Sequence, residues 1–454
     1  MNLYRLARAR AAEGRPIGVG LIGAGKFGAM FLAQARHCEG LRVAAIGDLR
    51  VAAARETLRR TGWPAEAIGA VRLTEDAGAV IGADEVEVVI EATGDPAAGI
   101  RHARACRAAG KHLVMVNVEA DALAGPLLAR EAERAGLVYS LAYGDQPALI
   151  CELVDWARAS GLEVVAAGKG TKYLPAYHAS TPETVWGHYG LSPDQATAGG
   201  MNPRMFNSFL DGTKSAIEMA AVANATGLTP APAGLAFPPC GADDLATRLR
   251  PRANGGVLHH RGQVEVVSSL KRDGSAVARD LRWGVYVVVA APGDYTARCF
   301  FEYGLSGDPA AGYAAMYRPY HLIGLELPIS VLSVALRGEP TGAPTGFRGD
   351  VAAVAKRDLA AGEMLDGEGG FTVWGRLMPA ADSLAAGALP IGLARGLKLE
   401  RPVAAGAPVT FADVRVDPSD ETLAVRREME QAFAPSSDGR APATQRPRLD
   451  AAAP

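Results

Sequence analysis

Short runs of β-branched residues alternate with longer stretches rich in Ala, Arg and Glu from residue 16 to about residue 160. This alternation is typical of βαβ units, in which each strand of a parallel sheet is followed by a helix that packs on the sheet. We predict strands at Ile17–Ile22, Leu41–Gly47, Val86–Ala92, His112–Val116 and Leu137–Leu141. Helices are predicted between them, at Lys26–His37, Ala52–Arg60, Pro96–Ala109 and Asp121–Ala135. Residues 1–160 are therefore expected to form an α/β domain around a parallel sheet.

The pattern changes after residue 160, and a chain of 454 residues is long enough for two or three domains. Strand-like runs at Leu162–Ala167, Glu265–Leu270 and Trp283–Ala290, with a helix at Asn207–Asn224, predict an α+β substrate domain over residues 161–340. The segment Gly338–Asp350 is rich in Gly and Pro and is expected to link to a small β-rich domain at residues 341–420. Residues 434–454 are rich in Ser, Pro, Arg and Ala and are predicted to be disordered.

Charge and cysteine content narrow the class of protein. The chain has 47 Lys and Arg against 49 Asp and Glu, a formal net charge of −2, so the electrostatic attraction that drives nucleic-acid binding is absent and no nucleic-acid partner is expected. Five scattered cysteines without a C-x-x-C pair fit neither a disulfide framework nor a zinc site, and no metal site is assigned. These features favour a cytoplasmic protein with a small-molecule substrate.

No membrane association is expected. The N-terminal residues lack the apolar segment of a secretory signal. The longest apolar run, Leu322–Leu336, contains Glu326 and Pro328 and is shorter than the about 20 residues that span a bilayer.

A G-x-G-x-x-G element, Gly23-Ala24-Gly25-Lys26-Phe27-Gly28, directly follows the first predicted strand and opens the first predicted helix. The first glycine permits the tight turn, the second lets a pyrophosphate approach the backbone, and the third permits close helix–strand packing. The helix N-terminus adds free N–H donors and a partial positive charge. The motif therefore predicts a dinucleotide site, with a purely structural glycine turn as the alternative.

The residue after the second strand bears on which dinucleotide binds. Asp48 stands twenty residues beyond Gly28, where a carboxylate holds the ribose hydroxyls of NAD, whereas Arg50 could attract the 2′-phosphate of NADP. We predict NAD in preference to NADP. Thr93 and Gly94 close a later strand and are expected at the nicotinamide half of the site, although a simple Gly/Pro turn would explain them as well.

Three polar clusters in the second domain carry the candidate chemistry, and each could instead be scaffold. Two lysines that follow a strand at its carboxyl end could polarise a carbonyl, relay a proton or bind an anion. A polar run at the start of a helix could face substrate or cap the helix. An Arg-Pro-Tyr-His run could bind an anion and supply an acid–base histidine, or form an aromatic lid. The candidate catalytic residues are Lys169, Lys172, Lys214 and His321. The candidate substrate-binding residues are Tyr173, Asp211, Thr213 and Arg318.

The chain to about residue 420 resembles predicted homoserine dehydrogenases with a C-terminal SAF domain, a group that includes deoxyxylulose-phosphate reductoisomerase-like and sugar-acid oxidoisomerase-like enzymes. The motifs that carry the resemblance are Gly23–Gly28, Val116–Asp121, Asp211–Ser215, Tyr317–His321 and the SAF-like segments 355–363, 389–393 and 402–409. The resemblance implies a Rossmann domain, a homodimer and cofactor contacts from Asn117 and Glu119. True homoserine dehydrogenases carry an Asn-Lys pair where Asn117 is followed here by Val118, so a substrate other than homoserine is expected.

The leading hypothesis is an NAD(P)-dependent oxidoreductase that transfers a hydride at a secondary alcohol or ketone of a sugar phosphate, sugar acid or polyol. Such a reaction could be coupled to a skeletal rearrangement. The alternatives are a homoserine dehydrogenase-like enzyme and a non-catalytic protein that senses NAD(P).

Overall fold

A computed structural model describes residues 2–305, 307–308 and 311–434. The N-terminal sheet has strands β1 (Ile17–Ile22), β2 (Leu41–Gly47), β3 (Arg72–Thr74), β4 (Val88–Glu91), β5 (His112–Met115) and β6 (Tyr139–Leu141). They pair in parallel in the order β3-β2-β1-β4-β5-β6. This is the strand order of dinucleotide-binding Rossmann folds, so the predicted α/β class with an N-terminal Rossmann domain is confirmed.

Helices cover both faces of this sheet. They are α1 (Leu3–Ala12), α2 (Lys26–Ala35), α3 (Val51–Arg60), α4 (Ala65–Ala70), α5 (Ala77–Ile81), α6 (Pro96–Ala108) and α7 (Val118–Arg134), and α8 (Gln146–Ala159) leads out of the domain. The strands other than the edge strand β3 are buried along nearly their whole length, because a parallel sheet is covered on both sides.

The second sheet is mixed. Strands β7 (Glu163–Thr171), β8 (Gln263–Ser268), β9 (Val285–Ala290), β10 (Gly307–Asp308) and β11 (Tyr313–Arg318) pair in the order β10-β11-β9-β7-β8, with only β7 and β8 parallel. Its helices are α9 (Val185–Tyr189), α10 (Pro193–Ala198), α11 (Pro203–Asp211), α12 (Thr213–Thr226), α13 (Leu245–Arg248) and α14 (Asp294–Glu302). Short 3₁₀ helices lie at Pro175–Ala179, Ala242–Asp244 and Arg252–Asn254.

The predicted helix Asn207–Asn224 is wrong in one respect, because the structure has two helices there. Helix α11 ends at Asp211, and Gly212 adopts a left-handed conformation with φ of 92° before α12 begins at Thr213. The right-handed helix cannot continue through that conformation, so the axis changes direction at the glycine.

The apolar segment after β11 forms α15 (Pro328–Arg337), which packs against the N-terminal domain. Its residues Val331 and Val334 join the core that contains Phe31 of α2 and Ile17 of β1. Within the described ranges, no helix has the length and hydropathy needed to cross a membrane.

The third unit is small and rich in β-structure. Strands β12 (Gly349–Ala355) and β13 (Val373–Pro379) form an antiparallel pair, as do β14 (Lys398–Leu399) and β15 (Val414–Arg415). Helices α16 (Ala380–Ala385) and α17 (Ile391–Ala394) and a 3₁₀ helix at Phe411–Asp413 complete it, and α18 (Glu421–Ala432) then packs on α7. The expected α+β second domain, whose sheet is mixed, and the small β-rich third domain are therefore both confirmed. The tail predicted to be disordered lies outside the described residues from residue 435 onward.

Candidate active site

The glycine-rich loop between β1 and α2 contains two glycines that the packing requires and a third, Gly25, that faces open space. A Cβ at Gly23, where φ is 95°, would lie 2.6 Å from the Ala92 carbonyl oxygen, and one at Gly28 would lie 2.5 Å from that of Gly23. The fold itself therefore requires these two glycines. A Cβ at Gly25 would meet no protein atom within 4 Å, and Gly25 has an ordinary φ of −67°. Packing does not explain this glycine, whereas close approach of a ligand to the N-terminus of α2 does.

Asp48 directly follows β2, and its side chain is hydrogen-bonded to the glycine-rich loop. Its carboxylate accepts a hydrogen bond of 2.9 Å from the Ala24 N–H and another of 2.9 Å from the Arg50 N–H. Arg50 is exposed at the start of α3, while Asp48 is half-buried. Asp48 thus lies beside the glycine-rich loop, where the sequence places the ribose of a dinucleotide.

Two residues at the carboxyl ends of β4 and β5 shape the adjacent edge of the sheet. The Thr93 hydroxyl donates to Glu91 Oε1 at 2.5 Å. Asn117 donates through Nδ2 to the Asp95 carbonyl oxygen at 2.8 Å, and its Oδ1 accepts from the Ala120 N–H at the start of α7. Asn117 therefore holds the loop that contains Thr93 and Gly94 against the sheet.

A cavity of about 920 Å³ lies at this edge, and residues from all three domains line it. Its size suits a nicotinamide and a small substrate together. From the N-terminal domain come Lys26, Phe27, Thr93, Gly94, Asn117 and Glu119. The second domain contributes Lys169, Lys172, Ser208, Lys214, Glu218 and His321, and the third contributes Glu368 and Arg395.

Two lysines of this cavity are ion-paired with carboxylates that also line it. Lys169 forms a buried ion pair with Glu218 of α12. Lys214, one turn earlier on α12, lies with its Nζ 2.5 Å from Oε1 of Glu119 on α7. The sequence assigned these two lysines to different motifs. The fold brings them to one cavity, Lys169 from β7 and Lys214 from α12.

The charge state of Lys214 follows from its neighbours. Burial lowers its pKa, but Glu119 and then Glu368, Glu218 and Asp145 outweigh burial and raise the pKa above its ordinary value. Lys214 is therefore an ammonium at neutral pH and suits a hydrogen bond to a carbonyl or alkoxide oxygen rather than the role of base.

Lys172 and His321 also line the cavity. Lys172 directly follows β7, and its ammonium donates to the His188 carbonyl oxygen at 2.5 Å. Burial, and secondly the charge of Arg282, lower its pKa. His321 Nδ1 lies 2.7 Å from the Trp283 carbonyl oxygen, so Nδ1 carries the hydrogen and Nε2 is left to accept one. Lys169, which we expected after the strand, lies inside it, because β7 continues to Thr171.

The four residues predicted to bind substrate do not line the cavity. The Tyr173 ring stacks on Phe237 with centroids 3.9 Å apart, and Arg318 donates to Glu326 Oε1 at 2.7 Å. Asp211 is fully buried in an ion pair of 2.8 Å with Lys356 of the third domain. The Thr213 hydroxyl accepts from the Gly375 N–H at 2.8 Å. Asp211 and Thr213 therefore join the second domain to the third, and this interdomain contact is the physical reason for their polarity.

Sequence reasoning missed several polar residues of the cavity, among them Asp145, Ser208, Glu218 and Glu368. Glu218 had a usable signal, since a carboxylate four residues after Lys214 in an otherwise apolar helix has no solvent-facing explanation. Glu368 had none, because only the docking of the third domain brings it there. Among the residues that the structure describes, no group of three or more His, Cys, Asp and Glu side chains is arranged to hold a metal ion.

Two family matches cover much of the chain beyond the Rossmann sheet. Residues 144–327 match the family described as "Oxidoreductase DRL, catalytic domain", and residues 350–415 match the SAF domain. No curated protein matches the chain in sequence.

Solved structures with partial similarity include a myo-inositol dehydrogenase from Lactobacillus casei, in complex with NAD(H) and myo-inositol, at 15% identity over 38% of this chain and 50% of that chain, with a TM-score of 0.28. Others are an NAD binding oxidoreductase from Klebsiella pneumoniae (21% identity, 37% and 45% coverage, TM-score 0.28) and a biliverdin reductase from Synechocystis sp. PCC 6803, in complex with biliverdin and NADP+ (19%, 40% and 55%, 0.26). The chain thus spans about half the length of these proteins.

The family matches bear out the predicted SAF-like third domain, and residues 144–327 are similar to an oxidoreductase catalytic domain. Neither match specifies homoserine dehydrogenase. The chain thus has a Rossmann-type sheet at its N-terminus, followed by a segment similar to the DRL oxidoreductase catalytic domain and a segment similar to SAF domains.

Proposed function

We propose that the protein is an oxidoreductase that uses a nicotinamide dinucleotide, NAD in preference to NADP, to transfer a hydride at a secondary alcohol or ketone of a small polyhydroxylated substrate. Sugar phosphates, sugar acids and polyols are the substrate classes considered. The main support is one cavity in which the carboxyl edge of the Rossmann sheet faces the paired lysines Lys169 and Lys214.

The residues present fit such a cofactor. Gly25 leaves a space that no protein atom fills, at the N-terminus of a ten-residue helix, and Asp48 lies beside it. Thr93 and Gly94 line the cavity where the nicotinamide half would lie. When bound, a nicotinamide dinucleotide supplies the hydride acceptor or donor for the reaction.

The chain's own residues hold the reacting oxygen. The Lys214 ammonium is fixed by Glu119 and would donate a hydrogen bond to the oxygen on which negative charge develops. Lys169 of β7 is held by Glu218 of α12 and would position a neighbouring hydroxyl. Lys172 and His321 remain the proposed acid–base groups if a rearrangement accompanies the redox step.

The experiment mixes the protein with NADH and NADPH, and with their oxidised forms, against a panel of polyols, keto sugars, sugar acids, sugar phosphates and homoserine, and follows nicotinamide absorbance. Lys169→Ala and Lys214→Ala should each lower turnover at least about 100-fold. Lys271→Ala, in an exposed turn, is the matched control and should keep the wild-type rate.

The outcomes separate the alternatives. Wild-type rates in both cavity variants would remove lysine from the mechanism. Tight cofactor binding without turnover on any panel member would favour the sensing protein over the enzyme. Turnover on homoserine alone would favour the homoserine dehydrogenase-like alternative. The predicted domain boundaries, homodimer and cytoplasmic location remain predictions.

A further inference from the structure

We propose that the third domain completes the active site, and that Glu368 is the residue that exchanges a proton with the reacting hydroxyl of the substrate. This inference rests on the proposed function and adds a catalytic residue to it. It also gives the SAF domain a role in the reaction.

The loop that carries Glu368, residues 366–370, is fastened into the cavity from the second domain. Arg204 of α11 donates to the carbonyl oxygens of Asp366 and Glu368, the latter at 3.0 Å. Asn207, one turn later on α11, donates through Nδ2 to the Gly369 carbonyl oxygen at 3.1 Å. Side chains of the second domain donate these hydrogen bonds to backbone carbonyls of the third domain. They therefore fix the position of the loop relative to α11.

Lys356 of the third domain contacts both the second domain and the loop that carries Glu368. Lys356 donates to the Gly370 carbonyl oxygen at 2.8 Å and to the Ser180 carbonyl oxygen at 2.7 Å, and its ammonium also pairs with Asp211. A Cβ at Gly369 would lie 2.0 Å from the Arg204 carbonyl oxygen, so only glycine permits this approach. The loop is therefore built to press against α11.

The Glu368 side chain differs from the other carboxylates of the cavity. Within the described part of the chain it forms no ion pair, and the hydroxyl of Ser208 donates to its Oε1 at 2.5 Å. Glu119 and Glu218 are engaged by Lys214 and Lys169, and Asp145 accepts from the Gln146 N–H. Asp145 forms no ion pair either, but it is the N-cap of α8. Among these four carboxylates of the described chain, Glu368 is therefore the one with neither an ion pair nor a capping role.

The charges around Glu368 come from several elements, and they place its titration near neutrality. Burial, followed by the charge of Glu119, raises its pKa to about 7, while Lys214 and the Ser208 hydroxyl oppose the rise. Charged groups lie on each of the elements that pack around its loop: Glu119 on α7, Arg204, Asp211, Lys214 and Glu218 on α11 and α12, and Lys356, Asp366 and Arg395 of the third domain. Both protonation states are therefore populated at the pH where an acid–base catalyst works best.

In the oxidation of the alcohol, the O–H bond of the substrate would break and its proton would pass to the Glu368 carboxylate, while the carbon's hydrogen would leave as a hydride to the oxidised nicotinamide. The electron pair of the O–H bond forms the C=O double bond, and Lys214 donates to that oxygen throughout. Reduction runs the same step backwards, with protonated Glu368 as the acid.

The test uses the full-length protein and the substrate found with the panel above. Glu368→Gln should lower kcat/KM for alcohol oxidation at least about 100-fold and remove the loss of rate below about pH 7, while the Kd for the dinucleotide stays within about twofold. Glu363→Gln changes a partly exposed carboxylate of the same domain that pairs with Arg357 and does not line the cavity, and it should behave as wild type. Glu368→Asp should recover part of the rate.

A second variant distinguishes catalysis from support of the fold. The Ser208 hydrogen bond favours the charged carboxylate, so Ser208→Ala should move the acidic limb of the kcat/KM profile to higher pH. A merely structural Glu368 would leave that limb in place. Retention of the wild-type rate and pH profile by Glu368→Gln, or an unmoved limb in Ser208→Ala, would overturn this inference while the proposed function stands. No turnover by the wild type on any panel member would overturn both.

Discussion

Replacing Gly25 by Ala should abolish most dinucleotide binding while leaving the fold intact. The Cβ added at this position meets no protein atom within 4 Å, and the φ of −67° is accessible to alanine. The folded state therefore incurs no clash, and the smaller conformational entropy of the unfolded chain adds about 0.4–1 kcal/mol to the free energy of unfolding. The same methyl group occupies the space where a pyrophosphate would contact the helix N–H groups.

The expected loss of affinity follows from those contacts. Displacing one charge-assisted hydrogen bond costs about 1.5–3 kcal/mol, which is about 10- to 100-fold in Kd. At an NADH concentration of about 100 times the wild-type Kd, binding stabilises the wild type by about 2.7 kcal/mol. With a 100-fold weaker Kd, the variant would gain only about 0.4 kcal/mol at that concentration.

Gly28→Ala is the matched contrast. Its Cβ would lie 2.5 Å from the Gly23 carbonyl oxygen, and overpacking of this kind costs about 1–3 kcal/mol, of which the better helix propensity of alanine returns about 1 kcal/mol. Thermal melts with and without NADH measure both variants: Gly25→Ala should keep its Tm without ligand and lose the ligand-induced shift, whereas Gly28→Ala should melt earlier without ligand. A full NADH shift in Gly25→Ala would refute the placement of the dinucleotide at this loop.

Two further predictions concern charged groups outside the catalytic cluster. Asp48→Ala should weaken NADH binding about 10- to 100-fold and improve NADPH binding. The measurement is kcat/KM for each cofactor. A wild-type preference for NADPH that Arg50→Ala abolishes would instead assign cofactor choice to Arg50. Asp350→Asn leaves the fully buried Arg426 without its 2.7 Å partner and should cost about 3–5 kcal/mol at neutral pH in urea unfolding. Burial raises the pKa of Asp350, but Arg426 outweighs burial and holds it below its ordinary value of 3.8, so this stabilisation is present above about pH 4 and is lost as the pH falls further. The difference between wild type and Asp350→Asn should therefore shrink on acidification, and a difference independent of pH would contradict the assignment.

The N-terminal fold could be predicted because its signals are local. The bounds of β1 and β2 are those that the β-branched runs indicate, and the glycine motif lies between strand and helix as expected. Strand β3 was missed, since Arg72–Thr74 is only three residues long and does not show a period. The break at Gly212 was missed because the polar and apolar pattern continues across it.

The site was predictable only in part, because its residues meet across domains. Lys169 and Lys214 could be proposed from their chemistry, but their partners Glu218 and Glu119 lie 49 and 95 residues away. The sequence also cannot distinguish a polar side chain that faces a ligand from one that satisfies a buried contact between domains. Asp211 was assigned to the substrate for this reason.

Two buried ion pairs hold the third domain in the position that the proposed chemistry needs. Asp350 on β12 binds Arg426 of α18, and α18 packs on α7, the helix that carries Glu119. Lys356, just after β12, pairs with Asp211 at the end of α11. An apolar interface tolerates sliding, whereas a buried two-pronged Arg–carboxylate contact accepts one geometry and is costly to break. Because proton transfer requires groups placed within a fraction of an ångström, such contacts between domains are better suited than apolar packing to bring a catalytic carboxylate from a separate domain.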